Sequence, residues 1–303
     1  MNVSMQDAYN LGWKIGLVVK GVAQRSILAT YQSERRRVAQ DLIEFDHRFS
    51  RLFSGKPAKD LMDESGVSMA EFKDAFLKGN LFACGLSVDY SASMLVAKGG
   101  SSAEQGDGTI GSQVIGKQEL AANIKLGMRM PSFKVLNQSD ARPWHLQELL
   151  KSDSRFRIIL FAGNVTSAVQ KTRIEKFCAK LDAPGSFLRR FTPASRPIDS
   201  VIEILTLHSA KRWDVEMLRD FPDLLHPFDK HVGWDYNKIY VDDESYHEGN
   251  GRAYENYGVD KEKGCVVVLR PDQHVGYIGE IEDVEDLGSY FDGVMVEASG
   301  HNK

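Results

Sequence analysis

The feature that most constrains this chain is its first fourteen residues, Met1-Asn2-Val3-Ser4-Met5-Gln6-Asp7-Ala8-Tyr9-Asn10-Leu11-Gly12-Trp13-Lys14. They read as a helix with no strand, capping loop or staple residue in front of it. Ala8, Leu11, Gly12, Ile15, Val18 and Val19 recur at three-and-four spacing and predict its buried face, with Gly21 as the stop. A helix that buries a face this early packs against something already made. On periodicity alone it is an amphipathic core helix, the commonest kind.

A second helical segment follows, with Ile27, Leu28, Tyr31, Val38, Leu42 and Ile43 as its apolar stripe and Glu34, Arg35, Arg36 and Arg37 expected to be mostly solvated. Surface pairs of that kind contribute little. The identities say more than the periodicity. Met1-Asn2 followed by Asp7-Ala8-Tyr9-Asn10-Leu11-Gly12-Trp13-Lys14 resembles the last cofactor motif of the FAD-dependent aromatic hydroxylases, the phenol hydroxylase family. Leu28-Ala29-Thr30-Tyr31-Gln32-Ser33-Glu34-Arg35 resembles the signature that follows it there. The resemblance implies that the backbone of Met1 and Asn2 faces the N1–C2=O edge of the flavin. A helix N-terminus, with about half a unit of positive charge and unpaired N–H groups, stabilises negative charge at that position. The glycine turn that precedes this motif in the family is not present, so the chain is expected to start inside a flavin site, as the C-terminal portion of a longer enzyme.

Length and composition bound the remainder. A chain of 303 residues with 42% hydrophobic content can bury a sizeable core and suggests about two domains. A net charge of −4 gives no electrostatic reason to expect nucleic acid. No apolar run approaches the roughly 20 residues of a membrane span, and the N-terminus has no signal-peptide pattern. Three widely spaced cysteines, Cys84, Cys178 and Cys265, suit reduced thiols rather than a disulfide scaffold or zinc site. A cytoplasmic protein is expected.

Residues 40 to 80 are expected to continue helically, with an aromatic stripe through Phe45, Phe49, Leu52, Phe53, Met69, Phe72 and Phe76 read as core or substrate-domain contact rather than a cofactor box. Gly99 to about Gly127 reads as an irregular linker. Within it Gly106-Asp107-Gly108-Thr109-Ile110-Gly111 matches the dinucleotide fingerprint, but the residues before it are polar and glycine-rich where a buried strand is required. It is rejected as a nucleotide site in favour of a turn.

Beyond the linker the pattern alternates. Strands are predicted at Phe133–Leu136, Arg157–Phe161, Val201–Leu207 and Ile239–Val241. A helical turn is predicted over Trp144–Leu150, a helix over Ser167–Leu181, a hairpin of Val266–Leu269 with Val275–Ile278, and a closing helix over Glu282–Phe291. That order predicts a thioredoxin-like fold. Its redox chemistry is excluded, because the loop Gly163-Asn164-Val165-Thr166-Ser167 carries no cysteine where the dithiol would sit. His226 and His231 do not form a metal motif, His247-Glu248 lacks a second histidine, and no Gly-x-Ser-x-Gly elbow is present. Arg270-Pro271-Asp272 is read mainly as a turn between strands rather than an anion site.

This half also resembles the C-terminal domain of phenol hydroxylase and its relatives, on Asp140-Ala141-Arg142-Pro143-Trp144-His145-Leu146-Gln147, Ile239-Tyr240-Val241-Asp242-Asp243, Gly251–Gly258 and Val267-Val268-Leu269-Arg270-Pro271-Asp272-Gln273. The expected class is α/β: a helical remnant of a flavin-binding domain followed by a thioredoxin-like α/β domain. The expected boundaries are 1–98 for the FAD and substrate part, 99–125 for a linker and 126–303 for the dimerisation domain. The resemblance implies FAD as cofactor, NADPH as co-substrate, a phenolic or other aromatic substrate and a homodimer. In the expected reaction NADPH reduces FAD, dioxygen is activated on the flavin, and one oxygen atom reaches the ring. No catalytic residue is assigned within the chain, and no metal. The isolated chain is expected not to be catalytic, the alternative being a stand-alone dimerisation or interaction module.

Overall fold

A computed structural model of the chain describes residues 2–54, 69–99 and 111–298. The helices α1 (Asn2–Val19), α2 (Ala29–Ser54) and α3 (Met69–Ala83) come first. Gly21, at φ +69°, closes α1 as expected: Gly21 N–H donates to Val18 and Val22 N–H to Leu17, the pairing that satisfies a helix's last carbonyls. The short strands β1 (Lys134–Asn137) and β2 (Pro143–His145) follow, then α4 (Leu146–Leu149), β3 (Phe156–Gly163), α5 (Ala168–Asp182), α6 (Phe187–Phe191) and β4 (Ile202–His208). After α7 (Met217–Asp220) come the two-residue strands β5 (Phe228–Asp229) and β6 (Gly233–Trp234), β7 (Ile239–Val241), and the two-residue β8 (Glu244–Ser245) and β9 (Gly249–Asn250). The chain then forms α8 (Ala253–Tyr257), β10 (Cys265–Leu269), β11 (Val275–Gly279) and α9 (Val284–Asp292).

The main sheet runs β11-β10-β3-β4-β7-β1-β2. Strands β3 and β4 are parallel, with Phe156 opposite Ile202 and Ile159 opposite Leu205, joined by the α5 crossover. Strand β10 runs antiparallel to β3, pairing Val267 with Ile159, and β11 closes the hairpin outside it. Hairpin, first strand and second strand in this order, with α5 between and α9 at the end, make the thioredoxin-like arrangement. Strand β7 extends the sheet in parallel beyond β4, and β1 and β2 complete it antiparallel.

Every residue of β3 is buried, because both sheet faces are covered and alternate side chains enter two cores. Phe156, Ile158 and Leu160 face Ile174, Phe177 and Cys178 of α5 and Leu287 and Phe291 of α9. Ile159 and Phe161 belong to the opposite core with Tyr254, Tyr257 and Val267. Glycine is required at Gly264, φ +63°, where a Cβ would stand 1.9 Å from the Phe161 carbonyl oxygen.

The helical part is joined to this sheet. Trp13 of α1 meets Phe156 edge-on at 5.6 Å between ring centres, and Leu17, Ile27, Leu95 and Ala97 share the same core. Gln24 N–H donates to Val294 and Val296 N–H to Val22. Residues 111–125 are irregular but anchored: Lys117 N–H donates to Ile278, and Ala121 and Ile124 are buried. Met1, residues 55–68 and most of Gly106–Gly111 lie outside the described residues, as do the side chains of Phe49, Leu52, Phe53 and Met69.

Three expectations need correction. The buried face of α1 is Asn10, Trp13, Lys14 and Leu17. Of the face expected to be buried, Ala8, Gly12, Ile15 and Val19 are exposed, Ile15 at 44% and Val19 at 80%, while Leu11 is half-buried and Val18 packs partly buried against the core. The period was right and the face was not, because polar partners elsewhere in the chain make Asn10 and Lys14 affordable inside. Glu34 and Arg35 are buried, not solvated. Trp144 sits in strand β2 opposite Val135, so the helical turn begins only at Leu146.

Candidate functional site

Asn2, the first described residue of α1, is exposed, and the first helical turn carries no acidic side chain. The N–H groups there have no intrahelical partners, so this end suits developing negative charge. It fits the edge of a flavin ring and no more of such a cofactor. Among the described residues no Gly-x-Gly-x-x-Gly joins a strand to a helix for a pyrophosphate.

What holds α1 in place is a buried set of charges. Glu34 of α2 receives two parallel hydrogen bonds from Arg270, Nη1 to Oε1 at 2.6 Å and Nη2 to Oε2 at 2.9 Å. Lys14 Nζ donates to the same Oε2 at 2.8 Å and to Asn10 Oδ1 at 2.8 Å, while Asn10 Nδ2 donates to Glu34 at 2.7 Å. Arg270 also donates through Nη2 to Asp272 Oδ2 at 2.6 Å and through Nε to Oδ1 at 3.1 Å. Trp13 Nε1 donates to Asp272 Oδ2 at 3.1 Å. Arg35 pairs with Asp7 one helical layer away, and the Arg270 guanidinium stands over the rings of Trp13 and Tyr90 at 5.5 and 5.1 Å.

The local sequence makes this possible. Asn10 and Lys14 lie one turn apart on α1 and so share a face, and Glu34 opposes them from α2. The tight turn Arg270-Pro271-Asp272-Gln273, closed by Gln273 N–H to Arg270 at 2.9 Å, points Arg270 and Asp272 at both helices. The turn expected there is present, but its side chains form the centre of an ion cluster.

Electrostatics follow from burial and pairing. Burial alone would raise the Glu34 carboxyl, but Arg270 first and Lys14 second hold it down to about 2. Asp272 likewise lies well below the carboxylate range, because Arg270 outweighs the cost of burial. Burial lowers the Lys14 ammonium to about 8 against the opposing pull of Glu34. Lys14, Arg270 and Arg35 balance Glu34, Asp272 and Asp7. The cluster is therefore charge-balanced, and it clamps the helices to the sheet domain. Breaking one partner of such a set costs about 3–5 kcal/mol, since the other charge is left buried.

Of the predicted cofactor contacts, Met1 lies outside the described residues and Asn2 stands at the open end of α1. Lys14, Glu34, Arg270 and Asp272 were not expected as a site. The available signal was that three runs singled out separately, Trp13-Lys14, Glu34-Arg35 and Arg270-Pro271-Asp272, carry complementary charges.

The thiols have no redox geometry. Burial pushes Cys178 up to about 12, helped by Asp182 and Glu175, and Cys265 higher still. His226 is buried with Nε2 against the Phe221 carbonyl, and among the described residues no cluster suits a metal ion. No described helix is long and apolar enough to cross a membrane.

Comparison with known proteins gives matches at both ends of the chain. A family model described as "Phenol hydroxylase, C-terminal dimerisation domain" matches residues 88–299, and one described as "FAD binding domain" matches residues 1–46. Phenol 2-monooxygenase fsqG of Aspergillus fumigatus is 34% identical over 295 residues, 97% of this chain and 45% of that protein. The 3-hydroxybenzoate 4-monooxygenase of Comamonas testosteroni is 34% identical over 297 residues, 97% of this chain and 43% of that protein. The solved flavin-dependent monooxygenase PieE is similar over 96% of this chain and 44% of its own, at 14% identity and a TM-score of 0.48. The chain spans less than half the length of the curated relatives it matches.

Proposed function

We infer the function of this chain from its family: it belongs to the phenol hydroxylase family of FAD-dependent aromatic monooxygenases. The proposed role is that of the C-terminal portion of an FAD- and NADPH-dependent enzyme that hydroxylates a phenolic ring. FAD supplies the oxygen chemistry when bound. The chain's own part is to present the start of α1, with Asn2 and the backbone beside it, to the flavin edge. The sheet domain is proposed to pair two copies into a homodimer.

The seating of α1 carries this reading. An acid-free helix N-terminus is useful to a cofactor only if its direction is fixed, and the Lys14–Glu34–Arg270–Asp272 cluster fixes it. A general base or nucleophile is not part of the proposal.

The 303 residues by themselves are proposed to be non-catalytic, because the described residues offer donors for one edge of the isoalloxazine and no pyrophosphate turn. The test compares the purified chain with a hybrid that joins it to the FAD-binding part of the Aspergillus fumigatus relative. The chain alone should lose FAD on dialysis and leave NADPH unoxidised in the presence of phenol. The hybrid should stay yellow and oxidise NADPH when phenol is added. A stoichiometric flavin spectrum on the chain alone would refute the non-catalytic reading, and a colourless but folded hybrid would refute the role of α1.

A further inference from the structure

A cavity of about 40 Å³ lies between α1, α2, the Cys84–Tyr90 segment and the β10–β11 turn. It adjoins the charge cluster but is not filled by it. Arg35 donates Nη1 to Tyr90 Oη at 3.2 Å and turns Nε to Asp7, yet its Nη2 is buried without a partner. The Arg35 side chain is only 5% exposed. Tyr90 Oη accepts from both Asn10 Nδ2 and Arg35 Nη1 at 3.2 Å each. Both lone pairs are thereby used, and the hydroxyl proton has no acceptor among the described residues. His274 turns Nδ1 toward Asp272, and its Nε2 is a second buried atom without a partner.

Arg129, also on the cavity wall, gives Nε and Nη2 to Gln273 Oε1 at 3.0 and 2.7 Å. Among the described residues it has no carboxylate partner. The other charges on this wall are matched: Arg35 by Asp7, and Asp272 by Arg270. The cavity therefore carries surplus buried donors and, on its half-exposed wall, an Arg129 guanidinium that no carboxylate among the described residues pairs. Buried donors left without acceptors are costly and uncommon.

We propose that this cavity binds a small monovalent oxyanion of the carboxylate or hydrogencarbonate class, held by Arg35 Nη2, the Tyr90 hydroxyl and Arg129. The space admits a small group of a few atoms, such as formate. Water could satisfy the buried donors, but only an anion also pairs with Arg129 at the half-exposed wall. An oxyanion does both, and bridges α2 to the segment after Leu126. This site is independent of the flavin reading.

Cys84 lines the same cavity and is the exposed one of the three thiols, Cys178 and Cys265 being buried. Its alkylation by N-ethylmaleimide therefore reports occupancy in the full chain. Sodium formate should slow Cys84 labelling saturably and several-fold, whereas sodium chloride at equal ionic strength should not. Arg129→Gln, compared with its own rate in chloride, should need about tenfold more formate for the same protection. That is the change a lost charge-assisted hydrogen bond produces. The proposal fails if formate gives no protection, if chloride protects equally, or if Arg129→Gln leaves the formate dependence unchanged.

Discussion

The sheet domain and the helical part hold themselves together by different means. Strand β3 is buried on both faces among aliphatic and aromatic side chains, so its stability comes from apolar area removed from water. Helix α1 buries Asn10 and Lys14 beside Trp13 and Leu17 and leaves Ile15 and Val19 outside. Its attachment adds matched charges to apolar contacts, Trp13 against Phe156 and Leu17 in the shared core. Dispersed apolar packing tolerates the loss of a single contact better than a cluster in which each charge needs its partner. The helical part should therefore be the one that a single polar substitution releases.

The largest test of that contrast is Arg270→Gln. It leaves Glu34 and Asp272 buried without their principal cation, so a loss of about 3–5 kcal/mol is expected. Hydrogen exchange should rise first in α1 and α2, with β3 and β4 still protected. Equal loss of protection in both regions would show that the molecule is one cooperative unit and the contrast false.

Acid should probe the two regions at different pH. His208 on β4 is held down to about 3 by burial, against a slight opposing effect of Asp243. The unfolded chain therefore binds a proton that the folded one refuses, and stability falls as pH drops from 6.5 towards 3. Glu34, held down to about 2, contributes stability that is present above its ordinary value of 4.5 and is lost as pH falls from there towards 2. Melting temperature against pH should decline through both windows. His208→Asn should flatten the upper one and leave the lower. A variant that declines as steeply as the parent above pH 4.5 would remove His208 as the cause.

The smallest effect is expected at the outward face of α1. Val19→Lys changes an 80% exposed residue and should alter stability by no more than about 0.5 kcal/mol, while reducing any self-association through that apolar face. A large destabilisation would mean that the face is packed, and sedimentation of the two proteins side by side would show whether association had changed.

The strands were legible because their residues leave few alternatives. Arg157–Phe161, Val201–Leu207 and Ile239–Val241 are apolar, β-branched or aromatic runs bounded by turn residues, and the observed strands begin and end within two residues of them. Trp144 was misread because a three-residue strand has too little pattern to separate it from the helical turn beginning at Leu146. The expectation of a cofactor contact at Asn2 came only from identities that resemble a family, since helix periodicity says nothing about what a helix end faces. The clamp was not legible, although its residues were.

By itself the sequence determined that the chain alternates strands and helices in a thioredoxin-like order and that its first two helices resemble a flavoprotein motif. Each of these depends on residues close together in the chain. Tertiary structure alone decided which face of α1 is buried. A lysine or glutamate belongs in solvent unless a partner is supplied. The partner of Lys14 lies 20 residues away and that of Glu34 lies 236 residues away. No local pattern records such a distance. Folding the hairpin turn against α1 and α2 is what turned three exposed-looking charged runs into the buried centre of the molecule.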